Sequence, residues 1–284
     1  MSNIDFDRFL RKLSAASERS PLDPRRIEWP AEVDPDSWYF SPELISLYGT
    51  PVWEAMSARE RKRLSLCEAA NFFSLNIHGE KYLIGEIRRR LVAGDDSELT
   101  RYLSHFIAEE ARHMAYFSEF CERYAGKIYP DRSVRLEAGD DRELDRLLLF
   151  ARIYVFEEIV DHYNRTMARD ERLTGIAREI NRMHHAEEMR HLAFGRRFLM
   201  RCVHREVNGW SDSMRAELHR QLAVYLEFVW TSYCNPDVYR DAGIDSPFEV
   251  WQATSTSTRA AAHRAAINRK RLGFLDVIGL LEAT

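Results

Sequence analysis

At 284 residues the chain sits near the upper size for one hydrophobic core, so one large domain, or one domain with added helices, is expected. Its apolar fraction of 45% is ordinary for a globular protein, and a formal net charge of −4 with both signs interspersed argues against a basic nucleic-acid surface. The four cysteines, Cys67, Cys121, Cys202 and Cys234, lie far apart with no CxxC spacing, which argues against a disulfide scaffold or a zinc ribbon and for free thiols in a reducing compartment.

The opening MSNIDFDRFLRK lacks the apolar core of a signal peptide, and no run of ~18 apolar residues could span a bilayer. A cytoplasmic protein without a membrane partner is expected. Residues 1–56 read as an N-terminal arm packed on the body. The segment from Pro21 to Pro51 carries six prolines and no helical period, so the arm is expected to be extended. Residues 57–284 read as a single helical-bundle domain, rich in Arg, Glu, Leu and Ala with few glycines or prolines.

Ser57 with Glu60 forms a capping-box pattern that opens a helix to about Ala93, ended by Gly94 and Asp95. Asp96 or Ser97 opens a second helix to about Ala125, stopped by Gly126. Asp140 with Glu143 opens a third to about Ala168, and a fourth runs from about Leu173 to His204. Ser213 begins a fifth, ended at Asn235-Pro236. Ser246-Pro247 marks another start, and a last helix covers about Thr258 to Leu281. The connection between the second and third helices is long enough to cross a bundle. The expected fold is therefore all-α: a ferritin-like four-helix bundle with additional C-terminal helices.

Two pentapeptides of the form Glu-Glu-x-Arg-His stand 78 residues apart, at Glu109 to His113 and at Glu187 to His191. Each sets a Glu and a His three positions apart on one helix face, where one carboxylate oxygen and one imidazole nitrogen can reach the same metal ion. A single ExxH is a weak signal; two copies on corresponding helices, set among apolar residues, are a strong one. Leu103, Phe106, Ile107, Met114 and Phe117 share the face of Glu110, and a carboxylate buried there unpaired would cost several kcal/mol.

Such a set needs one carboxylate from each of the other two helices. Among Glu68, Glu80 and Glu86, the face of Glu80 is the apolar one, shared with Phe73, Ile77, Leu83, Ile84 and Ile87. In the third helix Glu157 lies with Phe150, Ile153 and Val160, whereas Glu158, the alternative, has a more polar face. Glu80 precedes Glu110 by 30 residues and Glu157 precedes Glu188 by 31, as in a duplicated helix pair. His184 falls on the stripe of Glu188 and His191 and is a candidate third imidazole, with neighbouring His185 the alternative. Behind the ligands, Glu109 and Glu187 are candidates to accept hydrogen bonds from the imidazoles and Arg112 and Arg190 to neutralise those acids; Asp161, four residues after Glu157, is a further candidate to stand behind the ligands. A carboxylate-rich site with imidazoles suits iron or manganese better than structural zinc, and two bridged metals can be reduced and can bind O2.

The Glu…Glu-x-x-His…Glu…Glu-x-x-His set resembles the ferritin-like di-iron carboxylate proteins. With His184 in His-x-x-x-Glu-x-x-His, and with Trp29-Pro30, Phe40-Ser41-Pro42-Glu43 and Gly49-Thr50-Pro51 upstream, the chain resembles the narrower family of di-iron arylamine N-oxygenases, the p-aminobenzoate N-oxygenases. That resemblance runs from about Trp29 to Cys234. It implies Glu80, Glu110, His113, Glu157, His184, Glu188 and His191 as metal ligands, two iron ions as cofactor and O2 as co-substrate. It also implies a biosynthetic monooxygenase that oxidises a small-molecule amine to a hydroxylamine, nitroso or nitro product.

The alternatives are a di-iron C-hydroxylase or desaturase on the same scaffold, and an iron-storage or ferroxidase protein. With no flavin or nicotinamide fingerprint in the chain, an external electron donor, a reductase or ferredoxin, is expected. A homodimer is an expectation from the family alone. Tyr102, Tyr154, Phe194 and Phe198 are readable either as pocket lining or as core.

Overall fold

The computed structural model of the chain describes residues 3–19, 22–91, 97–131, 142–205 and 207–281. Its elements in chain order are α1 (Asn3–Arg19), α2 (Pro51–Ala55), α3 (Ala58–Arg90), α4 (Glu98–Phe120), α5 (Arg142–Met167) and α6 (Gly175–Arg205), then α7 (Asp212–Tyr233), α8 (Pro236–Ala242), α9 (Pro247–Ser255), α10 (Thr258–Arg271) and α11 (Gly273–Val277). Among the described residues there is no strand; Trp38 and Leu173 form an isolated bridge, with the Thr174 N–H donating to the Trp38 carbonyl at 2.9 Å. No described helix is long and apolar enough to cross a membrane.

The four long helices α3 to α6 form the bundle. α3 opens on the predicted capping box: the Ser57 hydroxyl accepts from the Glu60 N–H and the Glu60 carboxylate accepts from the Ser57 N–H at 2.7 Å. α4 is capped by Ser97 and passes into one π-helical turn, Cys121–Ala125, before Gly126 turns out of the helix at φ 67°. The predicted stop at Gly94-Asp95 and start at Asp140 lie outside the described residues. α3 packs closely on α4 and α5 on α6, while α3 and α5 meet more sparsely. Aromatic rings fill the interior: Phe73 stacks on Phe117 at 4.9 Å and meets Phe120 edge-on at 4.8 Å between ring centroids.

The N-terminal arm departs from the expected extended form. Residues 3–19 are an amphipathic helix that buries Phe6, Leu10, Leu13 and Ser17 against α4 and α6. Those positions recur at helical spacing, so the local pattern and the docking site agree. The proline-rich remainder contains two short 3-10 turns and α2.

At the other end, α7 begins at Asp212, capped by Ser211 rather than opened by Ser213. Asn235-Pro236 ends α7 and also starts the short α8, with Asn235 as its cap. The last predicted helix is two, broken at Leu272 before Gly273. Tyr102, Tyr154, Phe194 and Phe198 are core: all are buried, and Tyr102 packs on Phe194 at 4.9 Å.

Candidate metal centre

Seven side chains from the four long helices converge at the middle of the bundle. Glu80 comes from α3, Glu110 and His113 from α4, Glu157 from α5, and His184, Glu188 and His191 from α6; none is more than 2% exposed. The i,i+3 spacing does what helix geometry requires, with His113 Nδ1 3.1 Å from Glu110 Oε2 and His191 Nδ1 3.1 Å from both Glu188 oxygens. Across the bundle, His191 Nδ1 lies 2.9 Å from Glu110 Oε1 and His113 Nδ1 lies 3.4 Å from Glu188 Oε1. His184 Nε2 stands 3.3 Å from Glu80 Oε1 and 3.2 Å from Glu188 Oε1. Glu80, His113 and His184 make one group able to hold a metal ion, and Glu110, His113 and Glu188 make another.

Behind these residues the pairing crosses between helices. Glu109 on α4 accepts from His191 Nε2 on α6 at 2.8 Å, and Glu187 on α6 accepts from His113 Nε2 on α4 at 2.9 Å. Each bond fixes the imidazole with Nδ1 turned to the centre. Arg190 donates to Glu109 at 2.6 Å, Arg112 donates to Glu187 at 3.0 Å, and the Leu22 N–H from the arm donates to Glu187 at 3.3 Å. Burial alone would raise the Glu109 carboxyl, but the His191 and Arg190 contacts outweigh it and hold it down at about 2. Glu187 is likewise lowered by His113 and Arg112 against its burial.

The alternatives separate by their partners. Glu157 turns inward toward Glu188 and Glu110, whereas Glu158 accepts from the Tyr154 hydroxyl at 2.7 Å and faces Arg196 and Arg271. Glu68 is buried, but it is bonded to Ser46, away from the centre; Glu86 pairs with Arg89 and Arg90. His184 turns inward and His185 outward. The carboxylate of Asp161, the further candidate behind the ligands, is bonded instead to His185 and, at 3.1 Å, to Arg271.

Sequence reasoning missed Asn164, whose amide lies 2.5 Å from His184 Nδ1. An imidazole that offers Nε2 to a metal carries its proton on Nδ1, and turning the amide over brings Oδ1 onto that proton. The available signal was spacing: Asn164 follows Glu157 by one heptad and so shares its stripe.

The charge and hydrogen-bond state of this cluster fits two divalent cations. Both oxygens of Glu80, Oε1 of Glu110, Oε1 of Glu157 and Nε2 of His184 are buried with no hydrogen-bond partner. Burial and the mutual repulsion of Glu80 and Glu157 with Glu110 and Glu188 push the Glu80 and Glu157 carboxyls well above the usual range. Four carboxylates facing one dry space would be neutralised by two divalent ions, to which the five orphaned atoms would be donors. The donor set, oxygen-rich with three imidazoles and no thiolate, suits iron or manganese.

The fold and this set define a di-metal oxygenase or oxidase of the helical-bundle class. The chain belongs to the p-aminobenzoate N-oxygenase AurF family, whose sequence model matches residues 5–279.

The relatives found by sequence are themselves uncharacterized. One, from Mycobacterium tuberculosis strain CDC 1551 / Oshkosh, is 24% identical over 87% of this chain and 74% of its own length. Two others, from Mycobacterium bovis and from Mycobacterium tuberculosis strain H37Rv, are 26% identical over 72% of this chain, which spans 63% of their length, under two thirds. Among solved structures, an R2-like ligand-binding oxidase without metal cofactor superposes over 97% of both chains at 15% identity and a TM-score of 0.47. A point mutant of such an oxidase, with a reconstituted Mn/Fe cofactor, gives the same score over 97% of this chain and 94% of its own. At that distance the likeness carries no inference.

Proposed function

We propose that the protein is an O2-dependent di-iron monooxygenase that transfers oxygen to the nitrogen of a small amine, with Glu80, Glu110, His113, Glu157, His184, Glu188 and His191 as the iron ligands. These residues would hold two iron ions, which when bound would supply the redox chemistry for reducing O2 and delivering one oxygen atom to nitrogen. The first step balances as amine, O2, two electrons and two protons giving hydroxylamine and water; further rounds give nitroso and nitro products. The electrons come from a separate donor, a reductase or ferredoxin.

The observation that carries the reading is His184. Its Nε2 is buried, unpartnered and aimed between Glu80 and Glu188, so the site has a nitrogen donor beyond the paired Glu-x-x-His set. The chain's own residues then have defined tasks. Glu109 and Glu187 hold His191 and His113 with Nδ1 inward, Asn164 orients His184, and the Phe106 ring, stacked on His191 at 3.8 Å, keeps water from that side.

The test is incubation of iron-loaded, reduced protein with O2 and a broad panel of aryl- and alkylamines, read by mass spectrometry. A mass gain on nitrogen is expected. Oxygen on carbon would replace this reading with a C-hydroxylase, and the absence of any product would overturn it.

A further inference from the structure

Although the chain as a whole is net negative, the outer face of α1 is cationic. Arg8, Arg11, Lys12 and Arg19 recur at helical spacing opposite the buried stripe of α1, and with Ala15 they line one shallow surface depression. All four are exposed. Among the described residues Arg8, Lys12 and Arg19 form no ion pair, and Arg11 has Glu98 as its counter-ion, at 3.6 Å, with its own side chain 58% exposed. The acids of α1 are engaged elsewhere: Asp5 sits in the first turn, where the helix dipole favours it, Asp7 faces Arg201, and Glu18 lies 3.4 Å from His105. α10, which carries no acid, uses its basic residues differently. Arg264 pairs with Glu227 and Arg271 with Asp161, both at 3.1 Å, and Arg269 and Lys270 near its end stay exposed.

The inner face of α1 reaches the metal centre. The helix packs on α4 and α6, with Ser17 buried beside Glu109, whose carboxyl it helps to hold low. Three residues past its end, the Leu22 N–H donates to Glu187 at 3.3 Å. Those two carboxylates hold His191 and His113. The side chains of Arg190 and Arg112, which hold the carboxylates in turn, are 15% and 27% exposed, so on this side a hydrogen-bonded network runs from the proposed ligands to the surface. One helix, about 10–12 Å across with its side chains, separates the cationic stripe from Glu109.

A shallow cationic surface of this kind encloses no small molecule; it steers and seats an acidic protein. We propose that the outer face of α1 is the docking surface for the electron donor, and that the donor is an acidic one-electron carrier protein, a ferredoxin. Each docked carrier gives up one electron and leaves oxidised. Two dockings return to the oxidised irons the two electrons that each oxygenation consumes. That the visitor delivers electrons rests on the oxygenase reading above; that an acidic protein docks here does not.

The test is calorimetric titration of the full-length protein with an acidic plant-type two-iron ferredoxin, and with vesicles of phosphatidylcholine and phosphatidylserine as a second acidic surface. Wild type is expected to bind the ferredoxin, and to bind it at least tenfold more weakly when salt rises from ~50 to ~500 mM. Arg8→Glu, Lys12→Glu and Arg19→Glu together are expected to weaken binding at least tenfold. The same three changed to Gln, which adds no repulsion within α1, are expected to weaken it by a smaller factor at an unchanged melting point. Arg269→Glu with Lys270→Glu, the matching reversal on α10, is expected to leave binding unchanged. In iron-loaded protein followed by stopped flow, the α1 reversal should slow reduction by ferredoxin at least tenfold and leave reduction by neutral, reduced phenazine methosulfate as it was. No ferredoxin binding by wild type, full affinity in both α1 variants, an equal loss in the α10 variant, or an unchanged rate of reduction by ferredoxin would overturn the proposal. Tighter binding to the vesicles, lost in the same α1 variants, would replace the carrier with a membrane and overturn it too. Binding is read without turnover, so its failure leaves the oxygen chemistry standing. A protein that binds ferredoxin through α1 and oxidises no amine sinks only the oxygenase reading.

Discussion

The two halves of the bundle, α3 with α4 and α5 with α6, carry the same Glu and Glu-x-x-His set, and they differ at one heptad position. Seven residues before His113 stands Phe106; seven before His191 stands His184. Both reach across to the other half's histidine. The Phe106 ring stacks on His191 at 3.8 Å, and the His184 ring meets His113 edge-on at 4.5 Å. The two similar helix pairs thus build a near-symmetric cage, and this one difference would make the two proposed metal positions chemically unequal. A phenyl ring only seals; an imidazole seals and also donates.

Removing a shared ligand should have the largest effect. Glu188 lies within 3.4 Å of His113 and 3.2 Å of His184, and bonds His191. Glu188→Ala is expected to drop metal content, measured by plasma mass spectrometry, from two ions per chain to fewer than one and to abolish turnover. Its counterpart Glu110→Ala should behave alike; two retained ions in either variant would contradict the assignment.

Next is the substitution that makes the halves equal. His184→Phe is expected to keep two ions and lose N-oxidation by more than the roughly 100-fold typical of a lost partner behind a ligand. Wild-type turnover in that variant would deny His184 its role.

A smaller effect is expected behind the cage. Glu109→Gln and Glu187→Gln should each weaken metal binding by roughly 10–100-fold in competition with a chelator. The Glu187 variant should be the milder, because Arg112, Arg190 and the Leu22 N–H also hold the side chain at position 187 in place. Equal losses would mean that the arm and Arg112 contribute nothing to positioning.

Least affected should be Asp161→Asn. Its carboxylate serves His185 and Arg271 outside the cage, so metal content should be unchanged while urea unfolding shows a loss of about 1–3 kcal/mol. Lost metal would place Asp161 back among the groups that support the centre.

Much of this was legible in the chain because local rules and tertiary structure agree there. The Ser57–Glu60 box, the paired Glu-x-x-His motifs and the apolar faces around Glu80 and Glu157 are helix-periodic signals, and helix periodicity places side chains on the inside. What was not legible depends on contacts between helices. Spacing cannot tell that Glu109 serves His191 and Glu187 serves His113, because the exchange exists only once α4 and α6 are side by side. Asp161 has the spacing of a supporting residue and loses that role because α10 brings Arg271 to it. The stripe of Phe6, Leu10 and Leu13 is helical, but the prolines that follow mask it in any reading of the arm as one piece.

Anomalous diffraction at the iron edge, from crystals of the iron-loaded protein, would test the central claim most directly. Two peaks separated by about 3.5–4 Å are expected. They should lie among Glu80, Glu110, His113, Glu157, His184, Glu188 and His191, with His184 on only one of the two ions. One peak, or none, among these residues would contradict the account.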